Sequence, residues 1–428
     1  MKHDVKKKTN SGNNNKISGK VFPGKTFYAI FVLLMGLAAM AFLVALIVVD
    51  AFPADLTYLI IGVAFLLLIA ASVMMARKKR WKRVIGILIG VIFLFVIGSV
   101  TYYLGATYAM MNKISEYSEN SGSTDSSSDV DVTAQPFNIY VSGIDRWAGE
   151  DDLDRSDVNM IITVHPITKK VMLTSIPRDA YVKLHTAQAM DKLTHSGVYG
   201  VDETLNTVED WLGVDLNYYV KLNFSAMRGI INAIGGIDVY SPVAFDSDIS
   251  DCSYQKGWNH LNGREALYFA RERHAFEGQD AERVENQQRV VKAIIKKMTS
   301  STAVLSNYGE IMKVAGTNME TNMGYNKIQS LIKMQMSDLA TWNIDTQKME
   351  GEYGMNYVAS LSSKRQYSVY YVEQESIDKC LEGMDAIMNP TEEELQEAIE
   401  KTEQGFINNV IKKAREKAEA FGKEDKKD

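Results

Sequence analysis

Three uncharged apolar stretches occupy the first quarter of the chain: residues 27–49 (FYAIFVLLMGLAAMAFLVALIVV), 56–76 and 84–111. A hydrocarbon core of about 30 Å takes roughly 20 apolar residues to cross, so each stretch is expected to be a transmembrane helix. A cleaved signal peptide fits poorly, because its apolar region runs about 7 to 15 residues and no second and third run would follow. Apolar runs of this kind also occur as buried soluble hairpins, but three in succession weigh against that.

Basic residues give the orientation. Lys2, Lys6, Lys7, Lys8, Lys16, Lys20 and Lys25 precede the first run against one acid, Asp4, and Arg77, Lys78, Lys79, Arg80, Lys82 and Arg83 join the second run to the third. Between the first two runs stand only Asp50 and Asp55. Loops rich in Lys and Arg stay cytoplasmic, so the N-terminus is expected inside and everything after Met111 outside, in a multi-pass protein of the cell membrane.

The whole-chain net charge of -6 hides this division. Residues 112–428 carry 34 Lys+Arg against 50 Asp+Glu, a net charge of −16. So acidic a part is a poor partner for nucleic acid, which normally needs a basic face. An anionic substrate would have to be met by a focused group of arginines. Cys252 and Cys380 both fall in this part, where one disulfide is permitted and two separate thiols are equally open. His165, His185, His195, His260 and His274 are too dispersed for a zinc site.

Five segments follow from the pattern. Residues 1–26 form a basic tail and 27–111 the three spans. Residues 112–135, with a Ser/Asp-rich stretch at 121–129, read as a linker unable to bury apolar surface. Residues 136–388 read as a globular catalytic domain, and 389–428 as a charged helix and tail, opened by Thr391 and Glu394 at capping-box spacing. Within the globular part, strand-like runs at 137–141, 158–164, 171–176, 237–240 and 366–372 alternate with helical periodicity at 201–212, 224–234, 263–270, 280–298, 325–340 and 375–388. Alternation of this kind predicts a layered α/β domain.

The hairpin geometry fixes one side-chain pair. Strands 158–164 and 171–176 are joined by a short turn, and pairing them about its middle sets Asp157 opposite Arg178. Asp145 follows the first strand and reaches the same rim if that strand lies alongside. By itself this reads as a structural salt bridge plus a loop acid. A second group changes the balance: Arg271, Glu272 and Arg273, then Asp280, Arg283 and Gln287. Arg283 and Gln287 are one turn apart near a helix N-terminus, where amide donors and the positive dipole end suit phosphate. Arginine forks bind phosphate oxygens in pairs. His195 and His274 lie nearby in sequence, and both are expected to be structural or solvent-facing.

In order along the chain, Phe137–Asp145, Arg155–Asp157, Ser175–Asp179, Gly235–Val239, Leu261–Arg273 and Asp280–Gln288 resemble the motifs of the LytR-CpsA-Psr family, well over residues 136–300 and weakly to about 385. The resemblance implies an α/β/α sandwich with a mixed central sheet. It also implies a phosphotransferase of the outer membrane face, expected in a Gram-positive bacterium. Such an enzyme moves an anionic glycopolymer, such as teichoic acid or capsule, from an undecaprenyl-pyrophosphate carrier to peptidoglycan through a phosphodiester. Carried over, Arg178, Arg271, Arg273, Arg283 and Gln287 would hold the pyrophosphate, with Arg178, Asp145 and Asp157 catalytic. Asp145 and Asp157 would coordinate Mg2+ (or Mn2+) or orient the acceptor hydroxyl. Asn286 departs from the family pattern where many relatives have Arg, so one positive charge is missing or displaced to Arg289; the 191–196 stretch matches only loosely. Two other readings use the same residues: a polyprenyl-pyrophosphate hydrolase with water as acceptor, and a non-catalytic wall-polymer-binding or regulatory anchor.

Overall fold

The computed structural model describes residues 25–50, 52–120, 130–144, 155–276, 280–299, 310–311, 313–314, 319–338, 340–361 and 365–402. They fall into two compact units. The first holds three helices, α1 (Lys25–Val49), α2 (Ala54–Ala76) and the membrane-length part of α3 (Arg80–Asn120). All three are long and apolar enough to cross a membrane, and large side chains such as Leu33, Phe65 and Phe95 are exposed. Exposed apolar surface on that scale belongs in lipid. Helix α3 continues through residue 120, into the stretch assigned to the linker, because Asn112–Asn120 contains neither proline nor glycine to stop it.

The second unit is built on a six-stranded mixed sheet. Its strands are β1 (Phe137–Ile144), β2 (Ser156–His165), β3 (Lys170–Ile176), β6 (Tyr218–Asn223), β11 (Met319–Thr321) and β12 (Asn343–Lys348), in the order β11-β6-β1-β2-β3-β12. β1 runs antiparallel to β2 and parallel to β6, and β3 runs antiparallel to β2 and parallel to β12. The smaller strands are β4 (Tyr181–Lys183), β5 (Met190–Lys192), β7 (Ile237–Ser241), β8 (Phe245–Asp246), β9 (Ser253–Tyr254), β10 (Gly257–Leu261), β13 (Gly351–Asn356) and β14 (Tyr367–Val372).

Alternating side chains send the sheet's two faces into different cores, as the period of two requires. Tyr140, Ile161 and Tyr219 pack with α5 (Val201–Leu212) and with a helix at Gln374–Met388. Val141, Met160, Leu173 and Tyr218 pack on the other side with a helix at Tyr325–Asp338 and with α8 (Asp280–Met298). The result is the helix–sheet–helix sandwich expected from the family resemblance.

A third core lies beyond the sheet's end, where α6 (Phe224–Ala233), α7 (Gly263–Arg271) and α8 meet the β7–β10 hairpin around Phe245, Phe269 and Phe276. Helix α6 closes at Gly235 and Gly236, with φ of 79° and 83°, which glycine adopts without a Cβ penalty. Further on, Thr391 and Glu394 exchange the hydrogen bonds of a capping box, and Lys170 Nζ donates to Glu394 at 2.6 Å.

Candidate functional site

The cavity lies where four strand ends and two helix ends converge. β1 and β6 are parallel, so their carboxyl ends, Ile144 and Asn223, sit side by side. Because β2 is antiparallel to β1, it brings Asp157 and Val158 to the same edge, and β3, antiparallel to β2, delivers Arg178 just past its last residue. Crevices outside strand carboxyl ends are the usual ligand position in open α/β sheets. The register Asn159↔Ile176 continues to Asp157 opposite Arg178, and Arg178 Nη1 donates to Asp157 Oδ1 at 2.5 Å.

Opposite this rim stand α7 and α8. Helix α7 is fixed at its start by a capping box: the Asn262 side chain accepts from the amides of Arg264 and Glu265, and Glu265 accepts from the Asn262 amide. Nine helical residues later the chain turns extended at Glu272. Arg271 then lies over the Phe224 ring at 4.5 Å, a cation–π contact at the cavity wall. The Glu272 carboxylate accepts from Ser247 Oγ and from the amides of Asp248, Arg273 and His274. Burial is the largest single influence on it and pushes its pKa up, but hydrogen bonds, chiefly those from Ser247, Arg273 and Asp248, together hold it below the usual glutamate value. A buried anion thus folds the Arg271–Arg273 segment, which points its arginines the other way, into the cavity.

Arg178, Arg271, Arg273, Arg283 and Gln287 all line one cavity of about 430 Å³, together with Asp157. Residues brought together from β2, the turn after β3, α7 and α8 therefore share a single space. Most of its remaining wall is apolar, including Leu222, Phe224, Met227, Val290 and Ile294, with Asn223, Glu272 and His274 as the polar exceptions. Charged groups gather at one end of α8 and aliphatic side chains follow along the same helical face, at 283, 287, 290 and 294. Asp145 lies outside the described residues, as does the side chain of Asp280.

Other residues near the motifs are held as follows. Arg289 does not replace the charge missing at Asn286: it is held by Glu282 at 2.6 Å and Glu285 at 2.9 Å, and its Nη1 also donates to Asn286. Gln288 turns from the cavity to Ser175 Oγ and the Gln347 carbonyl, tying α8 to the sheet. His195 is a core residue, with Nδ1 2.6 Å from Asp191 Oδ1 and 2.9 Å from Ser360 Oγ. His274 is solvent-facing but lines the cavity, and its Nε2 accepts from Arg273 Nε at 3.1 Å. Lys192 donates to Asp179 at 2.9 Å, beside Arg178. The cysteines are both buried and free, in separate cores.

The model of the LytR_cpsA_psr family matches residues 103–386. The chain belongs to this family. Among its relatives, TagU of Bacillus licheniformis, a polyisoprenyl-teichoic acid–peptidoglycan teichoic acid transferase, is 33% identical over 286 residues, 65% of this chain and 92% of that protein. TagV of Bacillus subtilis, which carries the same description, is 34% identical over 230 residues, 52% of this chain and 58% of that one. The crystal structure of B. subtilis TagV matches with a TM-score of 0.50 at 29% identity, over 60% of this chain and 98% of that chain. The sheet and its helical layers are thus the LytR-CpsA-Psr fold, and the chain is a transferase of that family.

Proposed function

We propose that this transferase takes an anionic glycopolymer from an undecaprenyl-pyrophosphate carrier and joins it to peptidoglycan at the outer face of the membrane. The teichoic acid transferases among its relatives support the donor class. The observation that carries the reading is the cavity itself, in which four guanidiniums and Gln287 share one space with a largely apolar wall, the aliphatic side chains following the charged ones along α8. That shape fits a diphosphate with a hydrocarbon attached. The basic tail and the basic turn before α3 support a cytoplasmic N-terminus and a catalytic unit outside.

Phosphoryl transfer needs alignment and charge stabilisation more than covalent participation by the protein. Arg178, Arg271, Arg273 and Arg283 would neutralise the diphosphate oxygens, most strongly as charge builds on the bridging oxygen. An acceptor hydroxyl oxygen bonds to the phosphorus that carries the glycan, the bridging P–O bond breaks, and lipid phosphate departs with the electron pair. Asp157 stands on the rim to receive the acceptor's proton or to orient it.

A divalent ion fits the donors present at the minimum level. Among the described residues no three acids cluster as a metal cage, but magnesium commonly takes one or two carboxylates and fills its shell with water and phosphate oxygens. Asp157, with Asp145, would hold Mg2+ or Mn2+, which would supply additional charge neutralisation at the diphosphate.

The test is transfer by the full chain from a prenyl-pyrophosphate-linked glycan to a peptidoglycan oligomer. A glycan-linked product that requires acceptor is expected. Release of phosphate at the same rate with and without acceptor would instead identify a hydrolase.

A further inference from the structure

The slot has a direction. Along α8 it passes from Arg283 to Ile294, eleven residues or about 16 Å at 1.5 Å per residue. Two residues further on, the helix meets an exposed corner of the β7–β10 hairpin. Trp258 is 70% exposed and its cross-strand partner Tyr240 is 45% exposed, with the rings edge to face at 5.6 Å. Lys296 Nζ lies 5.8 Å from the centre of the Trp258 ring. Lys292, one turn back on α8, and Lys256, just before β10, are exposed as well.

This corner differs in charge from the surface around it. Earlier on the same helical stripe Arg289 is neutralised by Glu282 and Glu285. Lys256, Lys292 and Lys296 have no ion pair among the described residues. The hairpin's outward acid, Asp238, is already bonded to His260 at 2.7 Å. In a part of the chain with a net charge of −16, an exposed indole with Lys296 beside it, Lys292 one helical turn away and Lys256 two residues away in the chain form a local complement to an anionic surface.

An indole and a phenol held in water with lysine stems around them are the side chains that settle at the headgroup level of a bilayer. Anionic lipid adds attraction for each nearby lysine. A folded protein partner would satisfy the aromatic rings equally well, but not bare lysines, on the outer face of α8 at the level where the slot's aliphatic lining ends, in a chain tethered by three membrane-length helices.

We propose that Tyr240, Trp258, Lys256, Lys292 and Lys296 form a lipid-contact surface on which the catalytic unit rests against an anionic leaflet, so that the apolar end of the slot opens toward the bilayer. The assignment builds on the reading of that slot as an isoprenoid site. The carrier tail then passes from leaflet to slot without crossing water, while the arginines stand one slot-length away.

The experiment uses the full chain in proteoliposomes of phosphatidylcholine and phosphatidylglycerol at two to one, part of the phosphatidylcholine being brominated. Bromolipid should quench a component of the tryptophan emission that Trp258→Phe removes, and Lys292→Glu with Lys296→Glu should reduce that component. The same double substitution should raise KM for a long-chain, membrane-embedded donor by about tenfold or more and leave turnover of a short-chain, detergent-free donor unchanged. Equal quenching of the parent and of Trp258→Phe would overturn the surface assignment. Failure of the parent chain to transfer from either donor would count against the transferase reading instead, since quenching does not depend on turnover.

Discussion

Asp157 and Arg178 meet across the open end of the β2–β3 hairpin, with Oδ1 2.5 Å from Nη1 and both side chains about 30% exposed. The pair is accessible from the cavity yet held by the sheet on either side. A carboxylate in this position fixes where the guanidinium points, and Asp179, 3.7 Å from Arg178 Nε and bonded to Lys192, supports it from behind.

Removing either member should cost transfer about 10²-fold, the loss typical of one positioned charge-stabilising group. If the two act as a unit, the double substitution to alanine should cost little more than each single one. Initial rates for Asp157→Ala, Arg178→Ala and the double variant test this; turnover like that of the parent in both single variants would refute the assignment.

Glu272 should matter without touching substrate. Its four hydrogen bonds shape the segment carrying Arg271 and Arg273, and its pKa is depressed. The stabilisation it supplies is complete above the ordinary glutamate value of about 4.3 and is lost as pH falls through the lower value it has in the folded chain. Glu272→Ala should destabilise by about 1–3 kcal/mol, the cost of leaving buried donors unpaired, and should raise the donor KM. Thermal unfolding of parent and variant at pH 7 and near pH 3 checks the sign: the gap should narrow in acid.

Much of this geometry was legible in the sequence because it depends on local rules. The pairing of Asp157 with Arg178 follows from hairpin symmetry, and Arg283 and Gln287 share a face through helical spacing. What escaped were contacts made by the tertiary fold. β6 was not distinguished from its surroundings, and β12, NIDTQK, is an edge strand with one buried residue, so its apolar alternation is too weak to read. His274 reaches the cavity only because Glu272 bends the chain behind it, and Glu272 itself looks like an ordinary charge until the amides it accepts from are known.

His195 marks the opposite case. Its partner Asp191 is fully buried, and burial alone would push that carboxyl up, but hydrogen bonds from His195, Ser360 and Lys192 hold it below the usual range. The triad ties the β5 region to Ser360. His195→Ala should therefore lower the unfolding temperature while leaving kcat and the pH profile of transfer unchanged. A kcat loss at a temperature where the variant remains folded would move His195 into the chemistry.

The cysteines supply a last test, independent of any substrate. Cys252 packs beside Phe245 and Phe269 in the core around α7, whereas Cys380 packs against Val208 and Met349 on the far side of the sheet. Two side chains assigned to different cores cannot close a bond that requires Cα atoms within about 7 Å of one another. Burial also pushes the Cys380 thiol up, so little reactive thiolate forms at neutral pH. The folded chain should react slowly with a thiol reagent, two thiols should appear on denaturation without reductant, and added reductant should leave the unfolding temperature unchanged. A single species with no titratable thiol after denaturation would mean that the two cores come apart far enough in the native protein for the sulfurs to meet.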